Sequence, residues 1–185
     1  MSKIVVLAGK SSSGKDTVAK ILKKQGFHFI ISHSTRPMRD GESEGDPYYF
    51  VDADTIQKMN DDGELLELRS YNTVEGIWYY GINKGNIRED VPNLVIVDLH
   101  GVRDLKRIFG DDNVHTIYID VDDYTREQWA RKRGSFNKEE WNRRLADDNN
   151  RFTYELIDEL VDKVVVNDNL DTTVKQIQQY IKETK

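Results

Sequence analysis

The chain has 185 residues, a formal net charge of −6 and no cysteine. This composition excludes disulfides, thiol catalysis and cysteine-held metal, and it argues against a general nucleic-acid binder, which needs a basic surface. No apolar stretch approaches the ~20 residues that span a bilayer and the N-terminus lacks a secretory pattern, so the expectation is a cytoplasmic protein with no membrane partner, one domain carrying insertions.

The first predicted element is a strand over Lys3 to Ala8, a short apolar run rich in β-branched residues that suits a buried parallel strand. Gly9-Lys10-Ser11-Ser12-Ser13-Gly14-Lys15-Asp16 follows, then Val18, Ala19, Ile21 and Leu22 at helical spacing. Strand, glycine loop and helix in this order form a phosphate-binding loop, Gly-x-x-x-x-Gly-Lys, with Asp16 where Ser or Thr is expected. The glycines permit close backbone approach. The loop N–H groups and the helix N-terminus form an anion cradle, and Lys15 adds a mobile charge near the β- and γ-phosphates of a nucleotide. A serine-rich turn before a helix is the bland alternative.

Further strands are predicted at Phe27–Ser32, Leu94–Asp98, Val114–Val121 and Lys163–Val166. Helices are predicted near Asp16–Gln25, Gly101–Phe109, Asp123–Lys132, Lys138–Leu160 and Asp171–Lys182. The alternation implies an α/β fold, a mainly parallel sheet with helices on both faces and ligands beyond the carboxyl ends of the strands. Two segments interrupt it: 33–90, rich in aromatic and turn residues, and 122–150, dense in charge of both signs. The second is either a solvated helix pair or a mobile lid. The core would then comprise 1–32, 91–121 and 151–185.

In the first interruption, Arg36 and Arg39 stand three apart between Pro and Gly residues, with Tyr48 close behind. Arginine suits bidentate contact with phosphate and a tyrosine hydroxyl can add a hydrogen bond. Ordinary ion pairs with Asp40, Glu42 and Glu44 fit the same composition. None of the four histidines pairs with another at metal-ligand spacing, and Trp78, Trp129 and Trp141 suit packing better than a stacking platform.

The run STRPMRDGESEGDPYYF, the phosphate loop, the Tyr-Tyr-Gly at Tyr79–Gly81 and VNDNLD at Val166–Asp171 occur in the order found in guanylate kinases, and the chain resembles that family over nearly its whole length. The resemblance implies a P-loop NTPase-type parallel sheet flanked by helices, with an inserted nucleoside-monophosphate-binding segment at 33–90 and a helical lid at 122–150. It implies an ATP-dependent transfer to GMP or dGMP, with Mg2+. Gly9 to Thr17 would hold ATP, with Asn167 and Asp168 beside its adenine, although a turn before the last helix explains that pair equally well. Arg36, Arg39, Tyr48 and Tyr80 match positions that hold the acceptor's phosphate. Ser32 and Glu67 match positions that read the guanine edge, and a carboxylate can accept from both N1–H and the exocyclic amine. Asp98 matches an aspartate near the acceptor base and metal, and could equally cap a helix. Lys15, Arg36, Arg39, Arg133 and Arg144 would offset charge on the transferring phosphoryl group, with Arg131 and Arg143 as near neighbours of the lid arginines.

Three positions depart from the family pattern. Asp16 replaces a hydroxyl that touches magnesium, which Asp16 itself or Thr17 would then have to serve. Ile82 replaces a Ser or Thr able to bond the acceptor base. His100 stands where glutamine is usual. The departures leave room for another nucleoside monophosphate or a sugar bisphosphate as acceptor. A non-catalytic binding module of the same fold is a further alternative, against which the intact Gly14-Lys15 counts. Monomer and homodimer are both open.

Overall fold

The computed structural model describes residues 3–134 and 136–184; positions 1, 2, 135 and 185, which fall within the predicted segments, lie outside it. Its centre is a five-stranded sheet built from β1 (Ile4–Ala8), β2 (His28–Phe29), β7 (Asn93–Ile96), β8 (Val114–Asp120) and β9 (Lys163–Val166), in the order β2-β7-β1-β8-β9. Every pairing in it is parallel. Strand β1 is buried throughout because helices cover both faces. Ile4, Val6 and Ala8 enter the cluster containing Val102 and Leu105 of α3 (Leu99–Phe109) and Leu160 of α6 (Tyr154–Leu160). Val5 and Leu7 enter the opposite one, with Val18 and Leu22 of α1 (Lys15–Lys24) and Ile177 and Ile181 of α7 (Leu170–Glu183). The side-chain period of two thus feeds two cores from one apolar run.

The segment between β2 and β7 forms a second sheet, for which sequence patterning assigned no elements. It contains β3 (His33–Ser34), β4 (Tyr49–Phe50), β5 (Leu65–Thr73) and β6 (Gly76–Asn83), ordered β4-β3-β6-β5. Helix α2 (Ala53–Asp61), capped by the Asp52 side chain on the Thr55 N–H, crosses between β4 and β5. After β8 come α4 (Asp123–Lys132) and α5 (Lys138–Arg151).

Several predicted boundaries shift. The strand expected over residues 27–32 pairs only at His28 and Phe29 and extends by one bond, Ile30 N–H to Leu94 C=O at 2.8 Å, before the chain leaves for the second sheet. The helix expected over residues 138–160 breaks in two. Phe152 leaves helical geometry and turns into the core, and Thr153 restarts α6 by accepting from Leu156 N–H. Helix α3 begins at Leu99 rather than Gly101, because the Asp98 carboxylate caps it through Gly101 N–H.

Candidate active site

The loop between β1 and α1 has the backbone of an anion cradle. Gly9 sits at φ +151°, and a Cβ there would lie 2.6 Å from the Ile119 carbonyl oxygen. Gly14 sits at φ +91°, and a Cβ there would lie 2.5 Å from Asn167 Nδ2. Both positions therefore require glycine on conformational and steric grounds. Ser12 adopts φ 62°, a left-handed conformation that costs a serine free energy and bends the loop. Lys15 folds back so that its ammonium donates to the carbonyls of Gly9 (2.7 Å) and Lys10 (2.9 Å) and to Ser13 Oγ (3.4 Å). Burial lowers its pKa from the ordinary lysine value, against the pull of Asp16 and Asp148.

Two parts of the chain brace this loop. Asn167, at the end of β9, donates from Nδ2 to the Ser13 carbonyl at 2.9 Å and accepts from Thr173 Oγ1 at 3.0 Å. Its amide is therefore committed to shaping the loop, while Asp168 beside it is exposed. From the other side, Asp148 of α5 accepts from Ser11 N–H (2.9 Å) and Ser11 Oγ (3.1 Å). Fully buried Arg126 of α4 donates to Asp148 (2.9 Å), Asp123 (2.6 Å) and the Ser11 carbonyl (2.7 Å), and lies 5.5 Å from the Trp141 ring centroid. Lys10 reaches Asn149 at 3.0 Å. Sequence patterning missed Arg126 and Asp148, because each sits in a helix of mixed charge with nothing local to mark it.

The second anion-binding candidate lies in the 33–50 segment. Arg36 is 4 % exposed and stands 5.0 Å from the Tyr48 and 5.2 Å from the Phe50 ring centroid. Its two terminal nitrogens grip Glu42 at 2.7 and 2.6 Å, the ion pair that the composition of this loop allowed. Arg39 is exposed. After the cost of partial burial, it feels the positive charges of Arg36 and Arg144, which lower its pKa further. Tyr80 packs edge-on against Tyr48 and Tyr71, with ring centroids 5.4 Å apart in each case. Burial raises both the Tyr48 and Tyr80 hydroxyls above the usual tyrosine value, Tyr48 strongly, so both remain donors at neutral pH.

Deeper in the same segment, Glu67 on edge strand β5 is 7 % exposed. Burial, outweighing the attraction of Arg69, pushes its carboxyl up to about 8. Arg69 Nε lies 3.3 Å from Glu67 and 3.9 Å from Asp98, and its guanidinium also bonds Asp104. Asp98 accepts from Tyr71 OH (3.0 Å), Arg151 (2.8 Å) and Gly101 N–H (2.9 Å). It is both the helix cap that its position suggested and a member of this charged cluster. Ile82 pairs across the strands with Glu67 and is fully buried.

The two halves meet. Asp16 of α1 and Ser32, Pro47 and Tyr48 of the second segment line one small pocket together with Phe29, Ile30 and Ile96. Arg133, the C-cap of α4, acts on Lys15, and Arg144 acts on Arg39 and Tyr80 while bonding Glu140 at 2.7 Å. Arg131 is occupied with Glu127 (2.6 Å) and the Phe136 ring (4.1 Å), and Arg143 with Glu140 (2.8 Å). Among the described residues no group of three His, Cys, Asp or Glu forms a closed metal site. Magnesium beside a nucleotide takes one or two protein carboxylates plus phosphate oxygens, and the Asp16 carboxylate at this pocket fits that donor set. Thr17 is exposed and does not line the pocket. No helix among the described residues is long and apolar enough to cross a membrane.

A parallel sheet, a glycine loop at the carboxyl end of β1 and a lysine at the start of the next helix define a P-loop α/β protein. A family model described as guanylate kinase matches residues 1–184. The guanylate kinase of Salinibacter ruber is 33% identical over 181 residues, covering 94% of this chain and 92% of that protein. The human guanylate kinase is 31% identical over 189 residues, covering 97% and 92%. The crystal structure of guanylate kinase from Anaplasma phagocytophilum superposes with a TM-score of 0.73 at 26% identity, covering 98% of this chain and 85% of that one. The chain belongs to the guanylate kinase family.

Proposed function

We propose that this protein transfers the γ-phosphoryl group of ATP to GMP or dGMP, giving ADP and GDP or dGDP. The observation that carries the reading is the shared pocket: Asp16, next to Lys15, and Tyr48, stacked on Arg36, line the same space. Donor and acceptor phosphates held by these two groups of residues would face each other.

The chemistry is in-line attack of an acceptor phosphate oxygen on the γ-phosphorus, with ADP leaving. The attacking oxygen is already anionic, so no strong general base is required, and positioning and charge carry the catalysis. The loop N–H groups and Lys15 hold the donor. Arg36, Arg39, Tyr48 and Tyr80 hold the acceptor phosphate, and Ser32 and Glu67 orient its base. Arg133 and Arg144 bring positive charge from the 122–150 segment, whose closure would exclude water. Asp98 supports the acceptor site through Tyr71 and Arg151. Asn167 fixes the donor loop, and Asp168 borders it. Asp16 would hold Mg2+, which supplies charge neutralisation on the phosphates when bound.

A coupled assay of ADP release across the common nucleoside monophosphates tests the reading. GMP or dGMP should stimulate release strongly. If no nucleoside monophosphate stimulates it, the proposal fails, and ATP binding without turnover would point to the binding-module alternative.

A further inference from the structure

Among the described residues, three buried side-chain polar atoms of the acceptor half have no hydrogen-bond partner, His33 Nδ1, Glu67 Oε2 and Arg69 Nε, and the last two lie together. They sit on β5 two residues apart, 3.3 Å from each other, but misaligned for a bond between them. The Glu67 side chain is only 3 % exposed. The two groups lie at ion-pair distance but make no hydrogen bond, and a buried carboxyl oxygen and N–H donor left without one each cost free energy, on the order of 1–3 kcal/mol, so their side-by-side burial suits a ligand that bonds both. The cross-strand neighbour of Glu67 cannot satisfy it, since Ile82 is aliphatic and fully buried. Asp98 does not satisfy Arg69 either, because its carboxylate lies 3.9 Å from Nε, beyond hydrogen-bond distance, while Tyr71, Arg151 and Gly101 engage it.

Building on the nucleotide-kinase reading above, we propose that Arg69 is a base-specificity residue: its Nε–H donates to the carbonyl oxygen of a lactam base while Glu67 accepts the adjacent ring N–H. The pair offers acceptor then donor, which complements the –NH–C=O edge of guanine and hypoxanthine. Arg69 supplies the donor that Ile82 cannot. The same donor opposes the exocyclic amine of adenine or cytosine, so the pair rejects as well as selects. The Asp104 contact holds the guanidinium in place from the other side.

The test uses the intact enzyme and four acceptors: GMP, IMP, AMP and 2-aminopurine ribonucleoside monophosphate, which keeps the exocyclic amine of guanine but lacks the lactam. GMP and IMP should both exceed the 2-aminopurine nucleotide in kcat/KM by about 100-fold or more, as expected where a site is built to bond a substrate group. Arg69→Met should lower kcat/KM for GMP and IMP by about 10- to 100-fold, mainly through KM, and leave the 2-aminopurine nucleotide and the KM for ATP unchanged. Adding Ile82→Ser to that variant should recover most of the GMP loss. Equal losses for all four acceptors, or an unchanged GMP to 2-aminopurine ratio, would overturn the assignment. If Arg69→Met fails to fold, the wild-type comparison decides: a 2-aminopurine nucleotide used as well as IMP sinks the proposal. Absence of turnover with every acceptor would instead reject the kinase reading itself.

Discussion

Asp148 accepts hydrogen bonds from both the backbone N–H and the Oγ of Ser11, at 2.9 and 3.1 Å, across 137 positions of sequence. Its other oxygen contact is Arg126, itself fully buried and bonded to the Ser11 carbonyl. The donor loop and the charged 122–150 segment are therefore bolted together by one buried ion pair.

Breaking that pair from one side should be costly. Asp148→Ala leaves a buried guanidinium with only the solvent-exposed Asp123 as counter-charge, and a loss of about 3 kcal/mol is expected. The double replacement Arg126→Leu with Asp148→Ala should recover much of it, since no uncompensated charge remains. Urea denaturation of the two single variants and the double variant measures this. Additive single losses would show that the two side chains act independently.

Gly14→Ala meets two obstacles, a positive φ and a Cβ only 2.5 Å from Asn167 Nδ2. The loop must shift, and ATP affinity should fall at least about 10-fold, a change of about 1.4 kcal/mol. Asn167→Ala removes the side-chain donor to the buried Ser13 carbonyl and should cost about 1–3 kcal/mol of stability. Isothermal titration with ATP and thermal unfolding read the two effects separately.

Glu67 carries a pH dependence whose sign is fixed by its burial. Its carboxyl is raised to about 8 in the folded protein from an ordinary value of 4.5. Below 4.5 both folded and unfolded forms hold the proton, and stability is unaffected. Between 4.5 and about 8 the unfolded chain releases a proton that the folded one keeps, so stability falls as pH rises. Above about 8 the penalty is complete. Glu67→Gln removes it, so the variant should gain stability over wild type at pH 8.5 relative to pH 4.5, on the order of a few kcal/mol. Chemical denaturation at the two pH values checks this; an equal difference at both would contradict it.

Asp16 borders the pocket shared with Tyr48, where its charge would add to that of any bound phosphates. Asp16→Ala should raise the magnesium concentration needed for half-maximal activity by about 10-fold, the loss of one carboxylate ligand. Thr17→Ala should leave it unchanged. A magnesium titration of ADP release that shifts for Thr17→Ala and not for Asp16→Ala would reverse the assignment.

The parallel core was legible in the sequence because its strands are continuous apolar runs and its helices carry regular stripes. The phosphate loop was legible because glycine and lysine spacing maps directly onto backbone geometry. The second sheet was not, because β3 and β4 are two residues each and take their bonds from a neighbour rather than from any local pattern. The break at Phe152 was hidden as well, since an aromatic residue turning into the core looks like one more apolar position on a helix. A family motif points to Glu67, but nothing local marks Arg69, whose surroundings depend on Asp98 and Asp104, which only folding brings beside it. Arg126 and Asp148 escaped for the same reason.

The brace on the Ser13 carbonyl has a consequence for how the protein comes into being. Asn167, which holds the loop in shape, follows Ser13 by 154 positions, so it leaves the ribosome well after the loop does. A nascent chain thus carries the nucleotide motif through that interval without the support that gives it form. Competence to engage ATP should arrive abruptly once β9 and the Asn167 turn have emerged, and a truncated product ending before β9 would keep the motif and lack its grip.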